Sequence, residues 1–397
     1  MLFQTLDLKK DCVSIYSGGE IYYDVLPEGI SKTWSYAPYL EDRDIEYANI
    51  YCRGKSFDEV CPDDLRIPWE HISRRTKAYL NCLKEAKINL SDVCFFDLVP
   101  ENFLLELCEI KNQITESVFK RFERPKNYDF MLRLMKFSAD LKTKKLVVET
   151  KMLDDYMSKQ KTRSFKKKIV KTKAFVDYDI FGTITGRLKV KKDSFPILTL
   201  DKDHRGILKP NNDAFIELDF NAAEFRTFLA LLGIPQPKGD IHCWTMQNVF
   251  KGALTREEVK KKTFAWLYNP DAKNAELDKR FNKKKAFKKY LSGDTIITPF
   301  GRKIKTDGRH ALNYLIQSTT SDIFLRRMLD LNDLLKEKGC ESYIAFSVHD
   351  SLILDFKKEE KKILSDLIKC FSETEYGKFK VNVSLGKNYK DMCTLQI

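Results

Sequence analysis

Apolar residues recur at three- and four-residue spacing through Thr76–Lys87, Glu101–Lys120 and Tyr128–Lys142, so the pattern from about Ile72 to Leu141 predicts helices. Upstream, residues 1–60 are mixed, with turns marked by Gly18-Gly19 and Pro27-Glu28-Gly29. Between 174 and 233 the pattern changes to short β-branched and aromatic runs broken by Gly and Pro, which predict strands leading into a helix. Residues 255–338 return to helical periodicity, interrupted near Thr295–Lys305 by a strand pair around Pro299-Phe300-Gly301. Tyr343–Phe356 predicts a hairpin: Ile344, Phe346 and Val348 alternate, the chain turns at His349-Asp350, and Leu352-Ile353-Leu354 returns.

Composition adds scale. A chain of 397 residues that is 43% hydrophobic can pack two or three folding units, and it is too apolar to be disordered. The formal charge of +13 is unevenly spread. Residues 142–173 hold twelve Lys and Arg against Glu149, Asp154 and Asp155, a net of +9. Residues 279–289 add seven more and no acid, which leaves about −3 for everything else. Charge focused in this way suits a grip on a polyanion, although solvated Lys-rich faces would give the same count. The ten cysteines include no Cys-x-x-Cys and have only five histidines as co-ligands, so no structural zinc site is expected. The opening residues lack a signal-peptide layout and no run approaches a membrane span, which predicts a soluble, cytoplasmic protein with reduced thiols.

Four constellations carry chemistry. In Phe215–Arg226 an apolar strand ends in Asp219 and helix-forming residues follow at once. A carboxylate there could hold Mg²⁺ with the Phe220 carbonyl as a further oxygen ligand, although an Asp capping the next helix is the commoner arrangement. Asp350 sits at the hairpin tip, an ordinary turn position unless the tip meets Asp219. Two carboxylates could then bridge two divalent ions about 4 Å apart for in-line phosphoryl displacement. From Thr255 to Pro270 a capping-box signature precedes Arg256, Lys260, Phe264 and Tyr268, one every four residues. Cations followed by aromatics on one helix face suit phosphates, then sugar and base; an amphipathic helix with a basic exposed side is the alternative. Arg309, Asn313 and Gln317 repeat the spacing near the start of a long helix reaching about Leu335, as a groove-reading stripe or simply its wet side.

Together these positions resemble the family A DNA polymerases, the group of bacterial DNA polymerase I and many phage replicases. Asp219-Phe220-Asn221-Ala222-Ala223-Glu224-Phe225-Arg226 looks like the family's motif A, the Arg256 to Tyr268 series like its motif B helix, and Val348-His349-Asp350 like motif C. Thr185-Gly186-Arg187-Leu188, Arg205 to Pro210, Asp240-Ile241-His242, Gly301-Arg302 and Asp322 support the match, which covers roughly residues 145–397. The resemblance implies an α+β right-hand polymerase fold with an antiparallel palm sheet, helical fingers and a helical thumb. It divides the chain into an N-terminal extension packed on palm or thumb (1–64), thumb (65–144), palm (145–235), fingers (236–308) and palm again (309–397). The implied activity is template-directed addition of dNTPs to a primer 3′ end, with primed DNA template and dNTPs as partners and room for processivity or replisome proteins.

Carried over residue by residue, the resemblance gives two Mg²⁺ ions (Mn²⁺ as a substitute) to Asp219, Phe220 and Asp350. It gives the triphosphate to Arg256 and Lys260 with His242 nearby, and a steric gate against a 2′-hydroxyl to Tyr268 and Glu224. Phe264 goes with discrimination against dideoxynucleotides. Arg187, Arg309, Asn313, Gln317 and His349 would touch primer and template. Departures are informative: Ser351 stands where the family usually has Glu, Asn269 and Ser318 replace common glycines, and the Tyr268–Arg309 segment is short. A proofreading site is not expected. Asp44-Ile45-Glu46 follows a polar stretch, and no Tyr of the first 150 residues has Asp four positions on. A compact phage-type enzyme in a host cytoplasm fits this picture. A single-subunit RNA polymerase or reverse transcriptase on the same palm, or a catalytically silent DNA-binding or scaffold protein, are the alternatives.

Overall fold

The computed structural model describes every residue except Lys10, Ser91 and Ile397. The chain divides into two compact units, Met1–Asp140 and Leu141–Ile397. In the first, Phe3–Thr5, Ser14–Ser17 and Glu20–Tyr23 form an antiparallel sheet. Its Gly18-Gly19 turn holds φ at 61° and 93°, the backbone a two-residue hairpin demands and a Cβ resists. Helices Arg66–Glu85, Glu101–Arg121 and Tyr128–Leu141 follow. The first starts ahead of the periodic stretch at Thr76, because its only buried side chains, Trp69 and Ile72, lie in its leading turns. Glu101–Arg121 supplies Phe103, Leu104, Leu107, Ile114 and Val118 to the core, and Gln4 of the sheet donates to Asn112 and Thr115 at 3.0 Å each. Glu46 accepts from the Tyr51 hydroxyl at 2.6 Å and lies 3.7 and 3.9 Å from Lys32 and Arg124. The expectation of reduced thiols throughout is corrected: Cys12 and Cys94 form a disulfide. Their separation of 82 residues gave no sign of this, since spacing along a chain does not encode proximity across a fold.

The second unit is built on five strands: β1 (Ala214–Phe220), β2 (Tyr343–Val348), β3 (Ser351–Phe356), β4 (Val381–Gly386) and β5 (Cys393–Leu395). They are antiparallel in the order β2-β3-β1-β4-β5, so β1 lies at the centre. Alternation along β1 sends Ala214, Ile216, Leu218 and Phe220 to one face and Phe215, Glu217 and Asp219 to the other. Helix α5 (Leu364–Ser372) covers the first face, where Phe220 stacks on Phe371 at 4.4 Å. The β2–β3 hairpin forms where predicted; residues 344–348 of β2 and every residue of β3 are buried, so the alternation read along β2 belongs to a strand covered on both faces.

Four helices surround a second apolar cluster: α1 (Ala223–Leu231), α2 (Ile241–Asn248), α3 (Arg256–Tyr268) and the 27-residue α4 (Ala311–Glu337). Phe225, Phe228, Ile241, Val259, Trp266, Phe281 and Leu315 interlock there and join α1, α2, α3 and the start of α4 into one body. The strand pair near Thr295–Lys305 is present, with Leu291–Ser292 as a third strand. Among the described residues no helix is long and apolar enough to cross a membrane.

Candidate active site

Strand pairing assembles the acidic centre. In the register Asp219 lies opposite Ser351 on one side and Asn382 on the other. Ser351 opens β3 directly after the His349-Asp350 turn, so β1 delivers its carboxylate beside the hairpin tip. His349 holds φ at 59°, a left-handed value that costs a residue with a Cβ about 1 kcal/mol and that the tight turn imposes. Asp219 does not cap the following helix; Ala222 does, at φ 51° and ψ 56°. Fully buried Arg226 fixes that sharp exit by donating to the Asn221 carbonyl (2.8 Å), the Pro237 carbonyl (2.9 Å) and the Gly239 carbonyl (2.7 Å).

Burial pushes the Asp219 carboxyl up to about 7, with Asp350 and Glu217 adding repulsion and only Asn382 (Nδ2 to Oδ2, 3.3 Å) and Lys260 opposing. Asp350 is also raised by burial, with Arg187 and His349 opposing. Two carboxylates held where water is scarce and protein cations are insufficient form a hard-oxygen donor set suited to a divalent cation. The Phe220 carbonyl adjoins them, anchored by the stacked Phe220 ring.

Asp350 and His349 line a cleft of about 310 Å³ together with Arg187, Glu224, Thr320 and Ser321. Arg187 pairs with Glu224, whose carboxyl burial raises while Arg187 opposes. Glu224 is therefore engaged by Arg187 rather than waiting for Tyr268. Gly186, at φ 78°, leaves no room for a Cβ beside the Arg302 guanidinium, which itself bonds Asp322 at 2.7 Å.

Helix α3 begins with the predicted capping box, the Thr255 N–H donating to Glu258 at 2.8 Å. Arg256 donates to Asp240 at 2.8 Å; Asp240 also caps α2 through the His242 and Cys243 N–H groups (2.9 Å each) and accepts from Asn221 at 2.9 Å. Although burial opposes it, this set of donors holds Asp240 far below the usual carboxylate range. Lys260 stands exposed one turn on, and Phe264 and Tyr268 stack at 5.8 Å. His242 departs from the picture of an open phosphate contact: it is 2% exposed, edge-on to Phe264, with Nδ1 unpartnered. Burial first, and Arg256 and Lys260 after it, lower its pKa and keep it neutral, against a pull from Asp240. Asn269 ends α3 at φ −89° and ψ 114°, so no left-handed residue is needed; Pro270 favours this extended backbone before it.

The stripe of the long helix is shorter than predicted. Asn313 and Gln317 lie on α4, Asn313 donating to the Tyr268 carbonyl at 2.9 Å. Arg309 precedes the helix and pairs with Asp271. Part of each basic run serves the fold itself. Lys142, Lys159, Lys161 and Lys166 pair with Asp177, Asp203, Asp201 and Asp154 at 2.5–3.1 Å, and Lys283 donates to the Trp266 and Ala272 carbonyls. Sequence reasoning passed over Asn382 and Glu217. Only Glu217 left a signal, a carboxylate two residues before Asp219 in an otherwise apolar strand.

Comparison with known proteins adds independent support. The family model described as DNA polymerase family A matches residues 293–391. DNA polymerase I of Aquifex aeolicus (strain VF5) is 25% identical over 281 residues, covering 59% of this chain and 48% of that protein. The DNA polymerase of Bacillus phage SP01 is 26% identical over 289 residues, 54% of this chain and 31% of its own length. The chain thus spans about half or less of these curated relatives. Among solved structures, the POL domain of Pol1 from M. smegmatis, in complex with DNA primer-template and dNTP, superposes with a TM-score of 0.57 at 13% identity, covering 73% of this chain and 76% of that one. That likeness establishes the α+β polymerase fold.

Proposed function

This chain is a relative of the family A DNA polymerases, and on that footing we propose that it is a template-directed DNA polymerase adding dNTPs to a primer 3′ end and releasing pyrophosphate. The observation that carries the reading is the register that sets Asp219 beside the hairpin tip bearing Asp350, which lines a cleft, with Lys260 within electrostatic reach of Asp219. Asp219, Asp350 and the Phe220 carbonyl would hold two Mg²⁺ ions, which when bound supply activation of the 3′-hydroxyl and charge neutralisation of the leaving group. Lys260 and Arg256 bind the triphosphate, and the stacked Phe264 and Tyr268 offer a flat apolar face for sugar and base. Neutral His242 offers a ring nitrogen at that edge. Glu224, held by Arg187, and Tyr268 are the pair assigned to the gate against a 2′-hydroxyl. Arg187, Arg309, Asn313, Gln317 and His349 meet primer and template.

In this reading residues 65–144 act as thumb, 236–308 as fingers, and 145–235 with 309–397 as palm, while 1–64 form an extension. In the same reading Asp44 and Glu46 serve the fold rather than proofreading; Glu46 accepts from Tyr51 and lies within 4 Å of Lys32 and Arg124. Primer extension with Mg²⁺ tests the proposal. Wild type should extend a matched primer with dNTPs on DNA and leave a mismatched 3′ end uncut, whereas D219A and D350A bind primed DNA without extending it. Binding without extension by wild type would make the chain a silent DNA-binding protein. Preference for rNTPs or an RNA template would reassign the reaction.

A further inference from the structure

We infer that Tyr178 is a positioning residue for Asp350: its hydroxyl completes the open edge of the sheet beside the β2–β3 turn and holds that turn at the cleft. The inference rests on the polymerase reading above. The strand order leaves one side of β2 without a neighbouring strand. There the Ser347 N–H donates to the Tyr178 hydroxyl at 2.9 Å, and the same hydroxyl donates to the Ser347 carbonyl at 2.6 Å. A pair of bonds to one residue is what a further antiparallel strand would give, so the phenol stands in for a strand. Only Val348 separates Ser347 from His349 and Asp350. A bulge between Ile344 and Phe346 interrupts the β2–β3 ladder just before this point, and the phenol grips β2 where pairing has resumed.

Tyr178 and Ser347 are both buried, so neither backbone group can turn to water instead. Burial pushes the Tyr178 hydroxyl up to about 12, against the Ser347 bonds, so it keeps its proton and stays a donor at neutral pH. Phenylalanine at 178 would fill the same space and leave a buried N–H and carbonyl unpaired, a cost that β2 relieves only by shifting. The phenol also joins two walls of the cleft. Tyr178–Asp179 pairs with Lys189–Val190 as the stem of a loop, and that loop carries Arg187. Within it Asp179 accepts from the Phe181 N–H at 3.0 Å, and the Thr183 hydroxyl donates to the Arg187 carbonyl at 2.8 Å. Arg187 lines the cleft with His349 and Asp350. One hydroxyl thus ties the loop bearing Arg187 to the turn bearing Asp350. The triphosphate residues Arg256 and Lys260 lie on α3, outside this connection.

The test compares Y178F with wild type by steady-state primer extension and by amide hydrogen exchange of the full chain without DNA. Y178F should lower kcat by roughly ten- to a hundredfold, the range that a misplaced reacting group costs, while the KM for dNTPs stays within about twofold. Its amides over residues 344–351 should exchange about tenfold faster, with those of β1 unchanged. 4-Aminophenylalanine at 178 keeps a weaker donor and acceptor and should fall between the two in both readouts. Wild-type kcat in Y178F overturns the inference, as does a rise in the KM for dNTPs as large as the fall in kcat, which a general loss of structure would give. If Y178F does not fold, the aminophenylalanine variant decides: a reduced kcat at unchanged KM supports the inference and wild-type kcat overturns it. If wild type does not extend a primer, the polymerase reading itself has failed, and exchange over residues 344–351 still decides whether the hydroxyl holds the turn.

Discussion

Asp219→Asn should make the metal-free protein more stable while ending its activity. The Asp219 carboxyl is carried from 3.8 to about 7 by burial, then by Asp350 and Glu217. The folded chain therefore holds this proton more tightly than the unfolded chain does. The associated stability is complete below the unfolded value near 3.8 and is lost as pH rises through about 7. Three pH units at about 1.4 kcal/mol each set an upper bound of ~4 kcal/mol. Partial exposure of the group reduces the expectation to the order of 1–3 kcal/mol. Asparagine keeps the shape and can still accept from Asn382 through its own oxygen, but carries no charge. In urea unfolding at pH 8 with EDTA, D219N should exceed wild type by that amount, and the gap should close as pH falls toward 4. Mg²⁺ should then stabilise wild type and not D219N, since a ligand stabilises only the state that binds it. Equal or lower stability of D219N at pH 8 without divalent ions would refute the account of a carboxylate held at a cost for a cation.

Lys260→Ala removes the exposed cation of α3 without touching the core, and a lost charge-assisted contact of about 1.5–3 kcal/mol should raise the KM for dNTPs ten- to a hundredfold. Steady-state kinetics check this, with the primer–template Kd expected to stay within about twofold. Ala222→Gly relieves a left-handed backbone at φ 51° and should add about 0.5–1 kcal/mol of stability by urea midpoint, with a decrease showing that the turn is not strained.

Much of the fold was legible because it is local. The periodicity of Glu101–Lys120 and Tyr128–Lys142, the Thr255 capping box and the hairpin around His349-Asp350 follow from side chains a few residues apart. The motif spacings belong to the same class: one helical face carries Arg256 to Tyr268, and one strand end carries Asp219. Where neighbours along the chain were read with the wrong emphasis, the error was also local. Arg309, read with Asn313 and Gln317 as one stripe of the long helix, falls just outside α4.

Other properties lay outside any window of sequence. His242 is buried and neutral because α2 and α3 close over it, and Glu224 is occupied because a residue 37 positions earlier reaches it. Cys12 meets Cys94 through the fold of the first unit. The sequence by itself determined which elements form, which residue types they present and which family they resemble. Tertiary structure decided which of those residues meet. Asp219 and Asp350 are 131 positions apart and come near one another only through hydrogen bonding of β1 to β3, and the same pairing bonds Glu217 to Ser351. Strand register is a long-range property, fixed by the burial of whole faces, and no local pattern contains it.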